Sequence, residues 1–189
     1  MIEENEIVAT VKDVAERLND LGINYMVPGS VALGVYVPAR TTFDIDIVLE
    51  ISSADAARFE QKFVQDYYVD ASSILRADER QSIFNIINNS TLVKVDCIVK
   101  GRDRFEIEKF SRRQSAEIGG VEFWVIGKED LILSKLKWAA GSHSPKQFED
   151  IERLLETGVD EQFLSDNIEE MDLREVWEAF GIWKTQARK

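Results

Sequence analysis

The seven residues Phe43-Asp44-Ile45-Asp46-Ile47-Val48-Leu49 constrain the fold more than any other stretch of this chain. Phe43, Ile45, Ile47 and Leu49 share one parity, and Asp44 and Asp46 the other. As a strand, the segment therefore has one apolar face and one face bearing two carboxylates. Asp is depleted from strands, and like charges at i and i+2 stand about 6 to 7 Å apart, where each raises the cost of ionising the other. A strand that carries both needs a cation nearby, and a divalent metal held by carboxylate oxygens meets that need.

The approach to this strand points the same way. Residues 23–27 form a short apolar strand; Gly29 and Ser30 follow it and precede a helical pattern over residues 31–37, which Pro38 stops. A glycine and a hydroxyl at a turn into a helix offer backbone N–H groups and a further donor to phosphate oxygens. Pro28-Gly29-Ser30 also reads as an ordinary strand-to-helix turn.

Taken together, Gly29-Ser30, thirteen intervening residues, and Asp44-Ile45-Asp46 within Arg40-Thr41-Thr42-Phe43-Asp44-Ile45-Asp46-Ile47 resemble a known signature. It is that of the nucleotidyltransferase superfamily related to DNA polymerase beta, with the closest likeness to its small bacterial members, abortive-infection toxins and antibiotic-modifying enzymes among them. The resemblance implies a Gly-Ser turn that holds a triphosphate, an Asp-x-Asp pair that binds two Mg2+ ions, and a third carboxylate from a later strand. Asp96, a lone acid in the apolar run of residues 92–99, stands in that third place. On its own it reads as a solvent-facing strand acid, and the presence of Asp44 and Asp46 turns the balance towards the third carboxylate. Arg40, just ahead of the Asp-x-Asp, either touches phosphate and the paired acids or lies in water as a loop arginine.

A second, softer resemblance lies in the tail. Gly127-Lys128-Glu129-Asp130-Leu131-Ile132-Leu133-Ser134-Lys135-Leu136, followed by Lys146-Gln147-Phe148-Glu149-Asp150-Ile151, looks like the C-terminal helices of small bacterial nucleotidyltransferases. The match gives Lys135 a contact with the nucleotide, against the alternative of an exposed helix lysine, and places Lys146 and Asp150 in a second polar cluster. Gln147-Phe148-Glu149 separates Lys146 from Asp150, whereas the family often has the basic residue directly before the acid.

The rest of the chain reads as follows. Ile7, Val11, Val14 and Leu18 mark an amphipathic helix over residues 3–21 with Gly22 as its C-cap. Ala56, Phe59, Phe63 and Tyr67 give the buried face of a helix capped at Ser52 or Ser53, with a short strand at 67–69 and a polar helix at 74–79. Strands at 84–87 and 92–99 form a hairpin across Asn88-Asn89-Ser90, because Asn tolerates positive φ. A helix at 105–113 and a hairpin at 116–125 across Gly119-Gly120 follow. Beyond residue 127 everything is helical, with Ser144-Pro145-Lys146-Gln147 as a capping box and apolar stripes of core type from Leu164 to Phe180.

Composition narrows the function. Thirty-five acidic against 23 basic residues give a net charge of −12, which opposes binding to long nucleic acid duplexes. Lys94, Lys100, Arg102, Arg104, Lys109, Arg112 and Arg113 form a positive stretch that either meets a triphosphate or RNA end or is a solvated face. Cys97, the single cysteine, excludes an intramolecular disulfide, and His143, the single histidine, excludes a histidine-based metal site or triad. No apolar run approaches the length of a membrane span, so a cytoplasmic, soluble protein with no membrane partner is expected.

The expected architecture is α/β (α+β). It has a nucleotidyltransferase-type mixed sheet with flanking helices over residues 1–126, and a helical region over 127–189 packed on it. The expected activity is Mg2+-dependent transfer of a nucleoside monophosphate from a nucleoside triphosphate to a hydroxyl of an RNA end, a protein side chain or a small molecule such as an antibiotic. The alternative is a non-catalytic module of toxin–antitoxin type that binds nucleotide or a partner protein. An antitoxin partner or a homodimer is compatible with either reading.

Overall fold

A computed structural model describes residues 4–38, 44–118, 120–141 and 144–187. Glu3, the 39–42 loop with Arg40, Phe43, Gly119 and His143 lie outside the described residues. The backbone divides into two compact units, Met1–Ala32 with Ala39–Ile126, and Leu33–Pro38 with Gly127–Lys189.

The first unit opens with α1 (Glu4–Leu21), whose periodic Ile7, Val11, Val14 and Leu18 are all buried. It ends on Gly22 at φ +63, with Gly22 N–H donating to Asn19 O and Ile23 N–H to Leu18 O, both at 3.0 Å. This is the Schellman closure that a glycine just past a helix favours. β1 (Tyr25–Met26) is shorter than the apolar run suggests, because only two residues find a ladder partner while Val27 makes an isolated bridge to Val125. α2 (Gly29–Tyr36) starts in this unit and finishes in the second. β2 (Asp44–Leu49), α3 (Ala56–Phe63), β3 (Tyr67–Tyr68), α4 (Ala71–Arg80), β4 (Ile83–Asn88) and β5 (Lys94–Val99) follow. α5 (Arg104–Ser111) and the separate hairpin β6 (Gln114–Ile118) and β7 (Val121–Val125) complete the unit.

Five strands form one mixed sheet in the order β1-β2-β5-β4-β3. β2 and β5 are parallel neighbours, and the other pairs are antiparallel. Period-2 alternation sends Ile45, Ile47, Val95, Cys97, Phe84 and Ile86 into the core. There α4 packs on β4 and β5, and Phe59 stacks on Phe63 at 4.4 Å and meets the edge of Phe84 at 5.5 Å.

Two local readings need correction. β5 begins at Lys94 rather than residue 92, because Leu92 is the residue that takes positive φ (+61), and it points 70% exposed into solvent. Asn88 instead serves the turn through its side chain, whose Oδ1 accepts from the N–H groups of Ser90 (3.0 Å) and Thr91 (3.1 Å). α4 is longer than the polar pattern suggests, since Asp70 caps it by accepting from Ser72 N–H at 2.9 Å.

The second unit holds the end of α2 with α6 (Lys128–Ala139), α7 (Pro145–Leu155), α8 (Glu161–Glu170) and α9 (Arg174–Ala187). The capping box expected at Ser144 does not form: Ser144 makes no side-chain bond to the helix, and Pro145 at the first position fixes its start. Phe148, Trp177, Phe180 and Trp183 cluster at ring separations of 5.3–6.1 Å, which makes the late aromatic stripes core. Among the described residues no helix is long and apolar enough to cross a membrane.

Candidate active site

The pairing of β2 with β5 creates the site. In their parallel register Asp44 lies opposite Lys94 and Asp46 opposite Asp96. On the other flank of β5, Asn85 of β4 lies opposite Asp96. With neighbouring strands about 4.8 Å apart, all five side chains share the face turned away from the core. Asp44 is exposed, and Asp46 and Asp96 are half-buried.

Asp96 is held from two sides. Lys94 Nζ donates to its Oδ2 at 2.9 Å, and Asn85 Nδ2 donates to its Oδ1. The hydrogen bond to Asp96 holds the Lys94 ammonium above the usual lysine range; partial burial works against this, and the charges of Asp96, Asp44 and Asp46 add to it. Lys94 is thus a cation within this carboxylate patch. Beneath it, burial and then the Asp96 charge push the Cys97 thiol up, so this cysteine is an inert packing residue.

Gly29 reaches the same patch from α2. It sits at φ +70, and a Cβ placed there would come within 2.5 Å of Asp46 Oδ2. Only glycine satisfies both the backbone and this approach. The turn that the sequence offers as a phosphate cradle therefore lies against the second Asp of the strand, with Ser30 next in the helix.

Three carboxylates on adjacent strands are the donor set of a hard divalent cation such as Mg2+. Among the described residues no three His, Cys, Asp or Glu side chains converge as a ready metal cluster, and at Asp96 the Lys94 ammonium stands in for a cation. Asp44, Asp46 and Asp96 are the residues that could hold a metal here.

Lys135 belongs to the second unit. It is not an exposed helix lysine: it is 5% exposed, and its ammonium donates to Asp150 Oδ2 at 2.8 Å and to Gln147 Oε1 at 3.3 Å, with Asp150 only 1% exposed. A phosphate contact would require this ammonium to exchange a carboxylate for a phosphate oxygen. Lys146 is exposed at the start of α7. The positive stretch is largely matched by acids: Lys100 pairs with Glu50, Arg104 and Arg112 with Glu108, and Lys109 with Glu106. Arg113 lies over the rings of Phe110 and Trp124. Sequence reasoning missed Asn85 and the role of Lys94. The available signal was the parity of Lys94, two residues before Asp96.

No protein-family model matches the chain, and no curated protein matches it in sequence. Solved structures match its backbone. An antigenic nucleotidyltransferase-like protein from Paracoccidioides brasiliensis aligns over 94% of this chain and 94% of its own, with a TM-score of 0.62 and 16% identity. The chain has a nucleotidyltransferase fold. The antibiotic-resistance factor ANT(2'')-Ia aligns over 98% of this chain and 95% of its own (TM-score 0.55, 10% identity). In complex with adenylyl-2''-tobramycin the same factor aligns over 96% and 98% (TM-score 0.51, 10% identity). A candidate nucleotidyltransferase from Thermotoga maritima aligns over 76% and 90% (TM-score 0.54, 17% identity). At these identities the likeness is one of fold, and the nucleotidyltransferase fold agrees with the mixed α/β sheet that carries the carboxylates.

Proposed function

We propose that this protein transfers a nucleoside monophosphate from a nucleoside triphosphate to an acceptor hydroxyl. The observation that carries the reading is the register that sets Asp46 opposite Asp96, with Asp44 two residues away and Gly29 against Asp46, on a nucleotidyltransferase fold. Asp44, Asp46 and Asp96 would hold two Mg2+ ions, which supply positive charge to the reacting phosphate and acidify the acceptor hydroxyl. The Gly29 backbone N–H and the Ser30 hydroxyl, at the start of α2, bind triphosphate oxygens and orient the α-phosphorus. The acceptor oxygen bonds to that phosphorus, the bond to the β-phosphate breaks, pyrophosphate leaves, and Asp96 takes the hydroxyl proton. The complex of ANT(2'')-Ia, a protein of similar fold, with adenylyl-2''-tobramycin supports a small-molecule acceptor, while an RNA end and a protein side chain are the other acceptor classes.

One observation favours a second reading. The Lys94 ammonium already neutralises part of the patch through Asp96, as it would in a module that binds nucleotide or a partner protein without turnover. Label transfer separates the two. Purified protein is incubated with Mg2+, cell extract and each triphosphate labelled at the α-phosphate, beside a γ-labelled control and Asp46→Asn. Label moving from the α position alone, and lost in Asp46→Asn, supports nucleotidyl transfer. Transfer undiminished in Asp46→Asn removes the carboxylates from the chemistry, and nucleotide binding with no transfer from either position supports the second reading.

A further inference from the structure

The open face of the sheet continues past Asp96. Asn85, which donates to Asp96, also lines a cavity of about 360 Å³. Tyr68, Ile83, Phe84 and Asn85 of the strands line it together with α4, and Arg76, Arg80 and Asp70 are its charged residues. Tyr68 pairs with Ile87, which shares the parity of Asn85 and Ile83, so the ring stands on the same sheet face as the carboxylates. It lies two strand spacings, about 10 Å, across the sheet from β5.

The chemistry of this cavity contrasts with that of the chain. In a protein of net charge −12, its lining carries two guanidinium groups against one carboxylate. Arg76 and Arg80 stand one turn apart on α4, on one side of the helix. Arg76 is anchored by Ser72 Oγ at 2.8 Å and loosely by Asp70 at 3.4 Å, whereas Arg80 has no hydrogen-bond or charged partner among the described residues. Tyr68 is 65% exposed and Ile83 55%, a large flat surface for a protein to leave in water. Paired guanidinium groups suit phosphates, and an exposed ring suits a stacked base. A polycationic acceptor would meet two like charges here.

We propose that this groove holds the 3′ end of a single-stranded RNA acceptor, with Arg76 and Arg80 on its phosphates, Tyr68 under a base, and the terminal ribose hydroxyl delivered past Asn85 to Asp96. The proposal rests on the nucleotidyl-transfer reading for its chemistry: the terminal oxygen bonds to the α-phosphorus, pyrophosphate leaves, and the RNA grows by one nucleotide.

The test measures binding apart from turnover. A short single-stranded RNA with a free 3′ hydroxyl and a 5′ fluorophore is titrated with the full chain in Mg2+ buffer without triphosphate, and anisotropy is read over a range of salt. Arg76→Gln/Arg80→Gln is expected to weaken binding at least tenfold and to flatten the salt dependence by about 1.4 in log–log slope, two contacts at about 0.7 each. Tyr68→Ala is expected to weaken it about fivefold or more, and Tyr68→Phe to keep the stacking. These side chains are exposed, so equal melting temperatures confirm that the variants fold. No RNA binding by the wild type, or unchanged affinity in the double arginine variant, overturns the proposal, as does label transfer to a small molecule or protein but not to RNA. RNA binding that depends on the arginines without any label transfer leaves the groove standing and defeats the nucleotidyl-transfer reading. Transfer to RNA undiminished in the arginine variant does the reverse.

Discussion

Gly29→Ala probes the contact that joins the Gly29-Ser30 turn to the carboxylate strand, and Gly22→Ala supplies its control. Both glycines occupy left-handed backbone, at φ +70 and +63. An alanine at either position therefore pays a similar conformational cost, about 1–2 kcal/mol. For a chain of this size that lowers the melting temperature by about 2–8 °C. The two differ in what the new methyl group meets. At Gly22 there is nothing within 4 Å, whereas at Gly29 the methyl lies 2.5 Å from Asp46 Oδ2. Ordinary contact begins at 3.4 Å, so the carboxylate must retreat by roughly 0.9 Å. A metal site tolerates displacements of about 0.2 Å in its ligands.

Both variants should therefore melt lower by similar amounts, while only Gly29→Ala loses Mg2+-linked triphosphate binding, by at least about tenfold, the lower end of what disturbing a ligand's supporting group costs. Thermal melts and titration calorimetry with a triphosphate, with and without Mg2+, read the two effects separately. Wild-type affinity in Gly29→Ala would refute the reasoning, because Asp46 would then not need its observed position. An equal loss of affinity in Gly22→Ala would also refute it, by showing that backbone strain alone suffices.

Two further outcomes follow from the ion pairs. Lys135→Met leaves the Asp150 carboxylate buried without its cation and should cost about 3–5 kcal/mol by denaturant titration, with most of it regained in Lys135→Met/Asp150→Leu; a single-variant loss below about 1 kcal/mol would mean that the pair is not buried as observed. Lys94→Gln removes the cation at Asp96, so the metal-free protein should melt lower and Mg2+ should raise its melting temperature by more than it does for the wild type; equal Mg2+ shifts in the two would remove Lys94 from the patch.

The strands that bear Asp44, Asp46 and Asp96 were legible because a period of two fixes the face of every residue whatever the strand pairs with. The amphipathic α1 and its glycine stop were legible for the same local reason. The register was not, since Asp46 meets Asp96, fifty positions further along the chain, and no local pattern encodes that pairing. Asn85 was passed over on the same account: its importance comes from sitting opposite Asp96. For Lys135 the sequence offers a nucleotide contact or an exposed helix lysine, and its buried pair with Asp150 was not legible because α6 alone does not reveal that α7 brings Asp150 to it. At the 88–92 turn the residue preference pointed to asparagine for positive φ, but the Asn88 side chain was recruited as an acceptor and the strain passed to Leu92. Arg40 lies outside the described residues.

The charges on the open sheet face follow from that pairing. Asp46 and Asp96 occupy neighbouring strands, and two unit charges about 5 Å apart repel by roughly 3 kcal/mol at an effective dielectric constant near 20. Lys94 offsets part of this, and the divalent cation proposed for this patch would offset more. Beside β4, where α4 and Tyr68 line the cavity, the balance reverses, with Arg76 and Arg80 outnumbering Asp70. Asn85, a neutral donor, stands at the boundary and touches both regions. A phosphate-bearing chain laid on this face is attracted at the arginine end and repelled at the carboxylate end unless cations are present there. On the proposed reading such a chain would be oriented before any chemistry occurs, and its binding at the carboxylate end would depend on metal. A cationic acceptor would be drawn the opposite way, so the direction of the metal effect on acceptor binding distinguishes the two classes: Mg2+ should strengthen the binding of RNA and weaken that of an aminoglycoside.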